Sequence, residues 1–132
     1  MTMSDTSTFL RRTLFVDAAV SGTTGIVMWL GAELLETWLA MPAGLLRVAG
    51  ASLLPFAALL IALATRHAVA RGAVVAVIVA NALWVVASVA LLVSGHVAPT
   101  LLGYAFVIGQ AVAVLGFAEL QWVGLRRTAP VF

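Results

Sequence analysis

The stretch GAVVAVIVANALWVVASVALLV, residues 72–93, decides the fold class of this chain. It contains no charged side chain, and Val, Ala and Leu dominate it from end to end. About 20 such residues in an α-helix cross the roughly 30 Å hydrocarbon core of a bilayer. The stretch therefore predicts a transmembrane helix.

The composition of the whole chain points to lipid as its solvent and excludes several kinds of site. Of its 132 residues, 64% are hydrophobic and 9% are charged, and the mean hydropathy is +1.16. A soluble domain is about 45–50% apolar and about 25% charged. The absence of Cys excludes a disulfide framework, a thiolate metal site and a Cys nucleophile. The formal charge of +2, without a long basic run, argues against nucleic acid as a partner.

Three further apolar runs bring the number of predicted spans to four. The spans cover residues 13–35, 45–64, 72–93 and 100–124. Short segments rich in turn residues separate them, so neighbouring helices are expected to be antiparallel. We predict a single transmembrane domain over residues 1–132, an all-α four-helix bundle of up-down-up-down topology, with tails at 1–12 and 125–132. A signal peptide is the alternative for the first span, but that run is long and contains Asp17.

The arginines set the expected orientation. All seven basic residues are Arg, and six of them lie on one side of a four-span chain: Arg11, Arg12, Arg66, Arg71, Arg126 and Arg127. The other side has only Arg47, with Glu33 and Glu36 nearby. Because basic residues favour the cytoplasmic side, we expect both termini in the cytoplasm. The preference for Arg over Lys is typical of a GC-rich bacterial genome. We predict a multi-pass protein of the inner (plasma) membrane.

Two acids lie inside the predicted spans. Asp17 follows Arg12 by five residues and Glu119 precedes Arg126 by seven, which places them about 7.5 and 10.5 Å along their helices. A charged side chain at the bilayer centre costs about 2.5–3.5 kcal/mol. An acid that persists in a span is therefore expected to face the other helices. For Asp17, an ion pair with Arg12, Arg126 or Arg127, or a hydrogen-bonded anchor, competes with a proton- or cation-linked role.

Uncharged polar side chains accompany these acids. Asp17, Ser21 and Thr24 share one stripe of the first helix, with spacings of i, i+4 and i+7. Asn81 is the deepest polar residue, about 15 Å along its helix, and Gln110 occupies the outer half of the fourth span. Amides inside a membrane usually join helices, for about 0.6–2 kcal/mol per bond. The candidate intramembrane polar site consists of Asp17, Ser21, Thr24, Asn81, Gln110 and Glu119.

Glycines in the spans mark the expected points of close helix approach. Gly is unfavourable inside a helix unless its missing side chain is used for packing. Small residues at such points let two helix backbones approach each other. The best candidates are Gly22, Gly25, Gly103, Gly109 and Gly116.

The four-span plan with an acid in the first helix resembles the small multidrug resistance transporters. Asp17 would correspond to the acid of that family, which is a Glu, and the family's patterns in the third and fourth helices are absent here. The resemblance implies a proton-coupled transporter or channel formed by self-association. The size and plan also resemble many small, uncharacterised four-span inner-membrane proteins of bacteria.

No catalytic constellation is visible in the sequence. The motifs HxxxH, CxxC, GxGxxG and GxxxxGK[ST] are absent, and His67 and His96 lie on opposite sides, where they cannot share a metal. We therefore expect no enzymatic activity and no cofactor or metal. The first hypothesis is a structural or accessory membrane protein, with the lipid bilayer and a second copy or another membrane protein as partners. The alternative is a small oligomeric proton-coupled transporter or channel that uses Asp17.

Overall fold

Four long helices and one short helix make up the chain. The computed structural model describes residues 3–66 and 70–127, and every regular element within these ranges is an α-helix. The helices are α1 (Met3–Leu30), α2 (Ala32–Leu39), α3 (Ala43–Thr65), α4 (Arg71–Val93) and α5 (Leu101–Arg127). The segment Thr8–Leu30 and the whole of α3, α4 and α5 are long and apolar enough to cross a membrane. This confirms the predicted all-α, four-helix membrane bundle.

The first span differs most from its predicted bounds. The sequence predicts a span at 13–35, whereas α1 ends at Leu30 and Gly31 separates it from α2. The Gly31 N–H still donates to the Val27 carbonyl at 2.8 Å, and the Leu35 N–H donates to the Gly31 carbonyl at 2.9 Å. The short helix α2 therefore continues the hydrogen-bonded path of α1. The other three spans begin and end within three residues of their predicted bounds.

Acidic side chains fix the turn between α2 and α3. Ala40 adopts a left-handed conformation with φ 56°, and its N–H donates to the Glu36 carbonyl at 2.9 Å. The Glu36 carboxylate accepts a hydrogen bond of 2.7 Å from the N–H of Ala43, the first residue of α3. Negative charge there complements the positive end of the helix dipole. Across the same turn, Arg47 donates to Glu33 at 2.9 Å.

The helices associate as two pairs. α1 packs along α3, α4 packs along α5, and contacts between α1 and α5 join the pairs. α3 and α4 make little contact, although only residues 66–70 connect them. The seam between α3 and α4 is therefore closed by buried apolar side chains toward one end of the bundle, whereas cavities line it in the other half.

Some of the glycines allow helices to touch at their backbones. A Cβ built on Gly25 would lie 2.8 Å from the Gly50 carbonyl oxygen, and a Cβ on Gly50 would lie 2.7 Å from the Gly25 carbonyl oxygen. A Cβ on Gly103 would collide with the carbonyl oxygen at the end of α2. No described atom lies within 4 Å of a Cβ built on Gly109 or Gly116, so these two are not used for packing within the chain.

The arginines at one end of the bundle bind helix C-termini. This arginine end carries Arg11, Arg12, Arg66, Arg71, Arg126 and Arg127. The Arg11 guanidinium donates to the Ala64 carbonyl at 2.7 Å in the last turn of α3. The Arg71 guanidinium donates to the Leu125 carbonyl at 3.0 Å in the last turn of α5. The last carbonyls of a helix lack partners in their own helix and carry the negative end of its dipole, so both bonds stabilise the bundle.

Two apolar cores lie toward the two ends of the bundle. The core toward the arginine end includes Leu10, Leu14, Leu60, Val74 and Leu125. The core toward the opposite end includes Met28, Leu39, Leu46, Leu53 and Val107. The buried polar side chains belong to neither core.

Candidate functional site

Asp17 is fully buried, and three side chains donate hydrogen bonds to it. Ser21 Oγ donates to Oδ1 at 2.9 Å, whereas Asn81 Nδ2 and Gln121 Nε2 donate to Oδ2 at 3.0 and 2.7 Å. Asn81 Nδ2 also donates to Gln121 Oε1 at 3.0 Å. We call these four residues the Asp17 cluster. Its bonds join α1, α4 and α5.

Helical periodicity directs these side chains to one point. On α4, Asn81 lies seven and four residues after the buried Val74 and Val77. On α5, Gln121 lies three residues after Ala118 and four before Leu125, both of which are buried. Residues three, four and seven apart share a helix face. The faces that bury the apolar side chains therefore also carry the two amides toward α1.

The donors to Asp17 are neutral groups, in contrast to one of the expectations. An ion pair with Arg12, Arg126 or Arg127 is not formed among the described residues. Arg126 and Arg127 lie instead 6.0 and 5.4 Å from the centroids of aromatic rings, and Arg12 is exposed. The carboxylate points into the interface with α4 and α5, whereas these guanidinium groups stay at the arginine end. Its oxygens act as acceptors in all three bonds.

Gln110 belongs to a separate cluster. Trp84 Nε1 donates to Gln110 Oε1 at 2.6 Å, and Gln110 Nε2 donates to Ser88 Oγ at 3.0 Å. The Ser88 hydroxyl in turn donates to the Trp84 carbonyl at 2.8 Å. We call Trp84, Ser88 and Gln110 the Gln110 cluster. It joins α4 to α5 and has no hydrogen bond to the Asp17 cluster within the described chain.

Two of the six predicted residues lie outside both clusters. Thr24 lines a narrow cavity of about 40 Å³ that also borders Ser21 and Gln110. Glu119 is exposed on the surface of α5. Residues two positions apart on a helix are turned by about 200° from each other, so Gln121 faces the interior and Glu119 does not. The predicted residues that the structure brings together are Asp17, Ser21 and Asn81.

Gln121 is the one member of the Asp17 cluster that the predicted site did not include. It precedes Arg126 by five residues, just as Asp17 follows Arg12 by five. Both therefore lie about 7.5 Å along their helices from the arginine end. This equality of depth was the signal that could have paired them. Trp84 and Ser88 were also left out of the predicted site, although they follow Asn81 on one face of α4.

The arrangement is suited to hydrogen bonding between helices. The side chains of each cluster are hydrogen-bonded to one another. Among the described residues, every side-chain nitrogen or oxygen that is shielded from solvent has a hydrogen-bond partner. A cavity of about 130 Å³ reaches the Asp17 cluster at Ser21 and Asn81, but Asp17 does not line it. Within residues 3–66 and 70–127, no three His, Asp or Glu side chains are grouped so as to hold a metal ion.

Comparisons of the chain with protein-family profiles, with curated proteins and with solved structures gave no match. Its function therefore has to be inferred from the geometry of the two clusters and of the surface.

Proposed function

We propose that this chain is a non-enzymatic structural or accessory membrane protein, a subunit of a larger assembly in a bacterial inner membrane. The observation that carries this proposal is the complete burial of Asp17 beneath donors from three helices. Both carboxylate oxygens are engaged, and each polar bond between membrane helices contributes about 0.6–2 kcal/mol. A carboxylate in this setting serves as an anchor for the bundle.

The exposed face of α5 supports association with a partner. Glu119 is exposed within a spanning helix, and a charge that faces lipid is costly. Gly109 and Gly116 lie on the same side of α5, and a Cβ built on either of them would meet no described atom within 4 Å. Small residues let a second helix approach closely, where its polar groups would meet Glu119. A second copy or another membrane protein would supply that helix.

Association is tested by purification in a mild detergent, with and without chemical crosslinking. We expect a complex larger than the monomer, and we expect Gly116→Leu and Glu119→Leu to weaken it. Val86→Leu changes an exposed position on α4 and is the matched control, which should leave the complex unchanged. A chain that is always monomeric and without partners would contradict the accessory role.

The second candidate function is a small oligomeric proton-coupled transporter or channel. One observation favours it: the described arginines leave the Asp17 carboxylate without a cationic partner. Reconstitution of the wild type and of Asp17→Asn in vesicles, followed by measurement of proton-linked flux, tests it. Flux that Asp17→Asn abolishes in a folded protein supports transport. Flux that is unchanged, or absent from the wild type, excludes it.

A further inference from the structure

A cavity of about 130 Å³ lies between α3 and α4 and ends at the Asp17 cluster. Ser52, Leu53 and Phe56 of α3 line one side, and Ser21 and Asn81 lie at its polar end. Because α3 and α4 make little contact, the seam above this cavity is not closed by the bundle itself. In a bilayer, the seam faces the acyl chains of the lipids.

Asn81 leaves one polar atom without a partner at this cavity. Its side chain is 3% exposed, and both of its hydrogen bonds use Nδ2, which lies between Asp17 Oδ2 and Gln121 Oε1. Because the amide nitrogen faces those two acceptors, the carbonyl Oδ1 faces away from them. No described residue donates a hydrogen bond to Oδ1. No shielded side-chain nitrogen or oxygen of the described residues lacks a hydrogen bond, so Oδ1 is an accessible acceptor at this cavity rather than a fully buried one. A ligand that supplies a donor gains a hydrogen bond at this point.

The other polar atoms of the cavity are also available only as acceptors. The Ser21 hydroxyl proton is donated to Asp17 at 2.9 Å. The Ser52 hydroxyl proton is donated to the Ala49 carbonyl at 2.7 Å. Each hydroxyl oxygen retains lone pairs. A complementary ligand must therefore bring the hydrogen-bond donor itself.

The depth of the cavity selects a neutral donor. Asn81 lies about 15 Å along α4 from Arg71, near the middle of a hydrocarbon core of roughly 30 Å. A charged amine at that depth is costly unless it forms a direct ion pair. Asp17 does not line the cavity, so it offers no such pair. A hydroxyl group supplies a donor without a charge.

A second, larger cavity provides space for an apolar chain. It has a volume of about 230 Å³ and shares Trp84 with the first cavity. Its apolar lining includes Met28, Met41, Leu45, Leu91 and Phe106. Its polar side chains, Ser88 and Gln110, are already hydrogen-bonded within the Gln110 cluster.

We propose that the seam between α3 and α4 binds a neutral lipid alcohol, a long apolar chain that ends in a hydroxyl group. The hydroxyl donates to Asn81 Oδ1, and the chain lies beside Trp84 in the larger cavity. This binding site goes beyond the structural role proposed above and does not depend on it.

Quenching of Trp84 fluorescence tests the proposal. In the full chain, Trp29→Phe, Trp38→Phe and Trp122→Phe together leave Trp84 as the one remaining tryptophan. The probes are a long-chain alcohol with a bromine at its tail and the bromoalkane of equal length, both added to detergent micelles. We expect saturable quenching by the alcohol that the unbrominated alcohol reverses. Apparent binding of the alkane should be about ten-fold weaker, which corresponds to about 1.4 kcal/mol.

Two blocking variants and one matched control localise the binding. Ala80→Leu and Ser52→Leu fill the smaller cavity from α4 and α3, and each should abolish saturable quenching while keeping the wild-type unfolding transition. Ala76→Leu changes an exposed position one turn away, outside both cavities, and should retain it. Equal quenching by alcohol and alkane overturns the proposal, as does quenching that survives both blocking variants. Absence of quenching also overturns it, and a dimer sensitive to Ala80→Leu would then assign the seam to a second copy.

Discussion

Burial removes Asp17 from water, and the donors around it replace the hydrogen bonds that it loses. Two of the donors, Asn81 and Gln121, are primary amides, each with two N–H groups and a carbonyl. Asn81 uses both N–H groups within the cluster, to the carboxylate and to Gln121. Because no cationic side chain in the described part of the chain contacts Asp17, the free energy of keeping Asp17 buried depends on each of these neutral donors.

We predict that Asp17→Asn destabilises the bundle by about 1–3 kcal/mol, the usual cost of an unsatisfied buried polar group. In one orientation the new amide nitrogen faces the donors Asn81 and Gln121, and in the other it forces the Ser21 hydroxyl to turn from donor to acceptor. Reversible unfolding by a denaturing detergent, followed by circular dichroism, measures the change. Glu119→Gln is the matched control: it neutralises an exposed acid and should change stability by less than about 0.5 kcal/mol. Equal losses in both variants would contradict the importance of burial.

Separation of the amides into two clusters leads to a second prediction. Asn81→Leu and Gln121→Leu should be non-additive, with a coupling of about 0.6–1.7 kcal/mol, because these side chains share a hydrogen bond. Gln110→Leu and Gln121→Leu should add to within about 0.5 kcal/mol, because they belong to different clusters. Double-mutant cycles from the same unfolding measurements check both statements. If the coupling energy between Gln110 and Gln121 equals that between Asn81 and Gln121, the two clusters are not energetically separate.

At the scale of elements, the contact between α1 and α3 depends on glycine. Gly25 and Gly50 face each other, and a Cβ on either of them would collide with the carbonyl oxygen of the other. Gly25 was predicted to mark a close approach and does so, whereas Gly50 was not singled out. Gly109 and Gly116 were predicted in the same way, but no described residue lies close to the place where their Cβ atoms would be.

Gly50→Ala should destabilise the bundle by about 1–3 kcal/mol, the usual cost of overpacking. The new Cβ would lie 2.7 to 2.8 Å from backbone atoms of α1, so the helices must separate. Gly116→Ala is the control, and its higher helix propensity should add about 0.5–1 kcal/mol. Thermal unfolding of the two variants in one detergent compares them. Gly50→Ala at wild-type stability would exclude the backbone contact.

The end of α2 offers a stabilising substitution. Ala40 has a left-handed conformation that an L-residue with a Cβ adopts at a cost, whereas Gly adopts it freely. Ala40→Gly should therefore stabilise the protein by about 0.5–1 kcal/mol. Ala51→Gly, at an exposed position within α3, should instead destabilise it by about 1 kcal/mol. If both substitutions destabilise equally in thermal unfolding, the left-handed turn is not present in solution.

Hydropathy was sufficient to predict four spans, but it does not fix the rotation of a helix about its axis. Lipid and protein core are both apolar, so an apolar side chain is equally suited to either. Polar side chains fix the rotation, and here the uncharged Gln121 faces the interior while the charged Glu119 does not. The predicted site included Glu119 and not Gln121, because an acid within a span was expected to face the other helices. Glu119 is two residues closer to the middle of its span than Gln121, and its surface position fits a partner better than a core.

At the scale of the whole molecule, the six arginines of the arginine end have two roles. Arg11 and Arg71 bind carbonyls at the ends of α3 and α5. The same set supplies the charge asymmetry that orients membrane proteins. At the opposite end, Glu33 pairs with Arg47, so the single arginine there is neutralised.

Both termini should therefore lie in the cytoplasm. Reporter fusions at the N-terminus and after Arg127 should be active on the cytoplasmic side, and a fusion at His96 should be active on the other side. The reason is the bias of six arginines to one in favour of the arginine end. Arg11→Glu and Arg12→Glu together reduce the excess of arginines at the arginine end, so they should lower the fraction of chains that insert in the predicted orientation. Activity of the His96 fusion in the cytoplasm would overturn the assignment.

The position of Asp17 in the chain also has a consequence for biosynthesis. Asp17 is translated 64 residues before Asn81 and 104 residues before Gln121. The first pair of helices therefore leaves the ribosome while its carboxylate lacks the two amides that will bind it. An unfinished chain therefore carries an acid without two of its three donors, and only the arrival of the last helix completes the set.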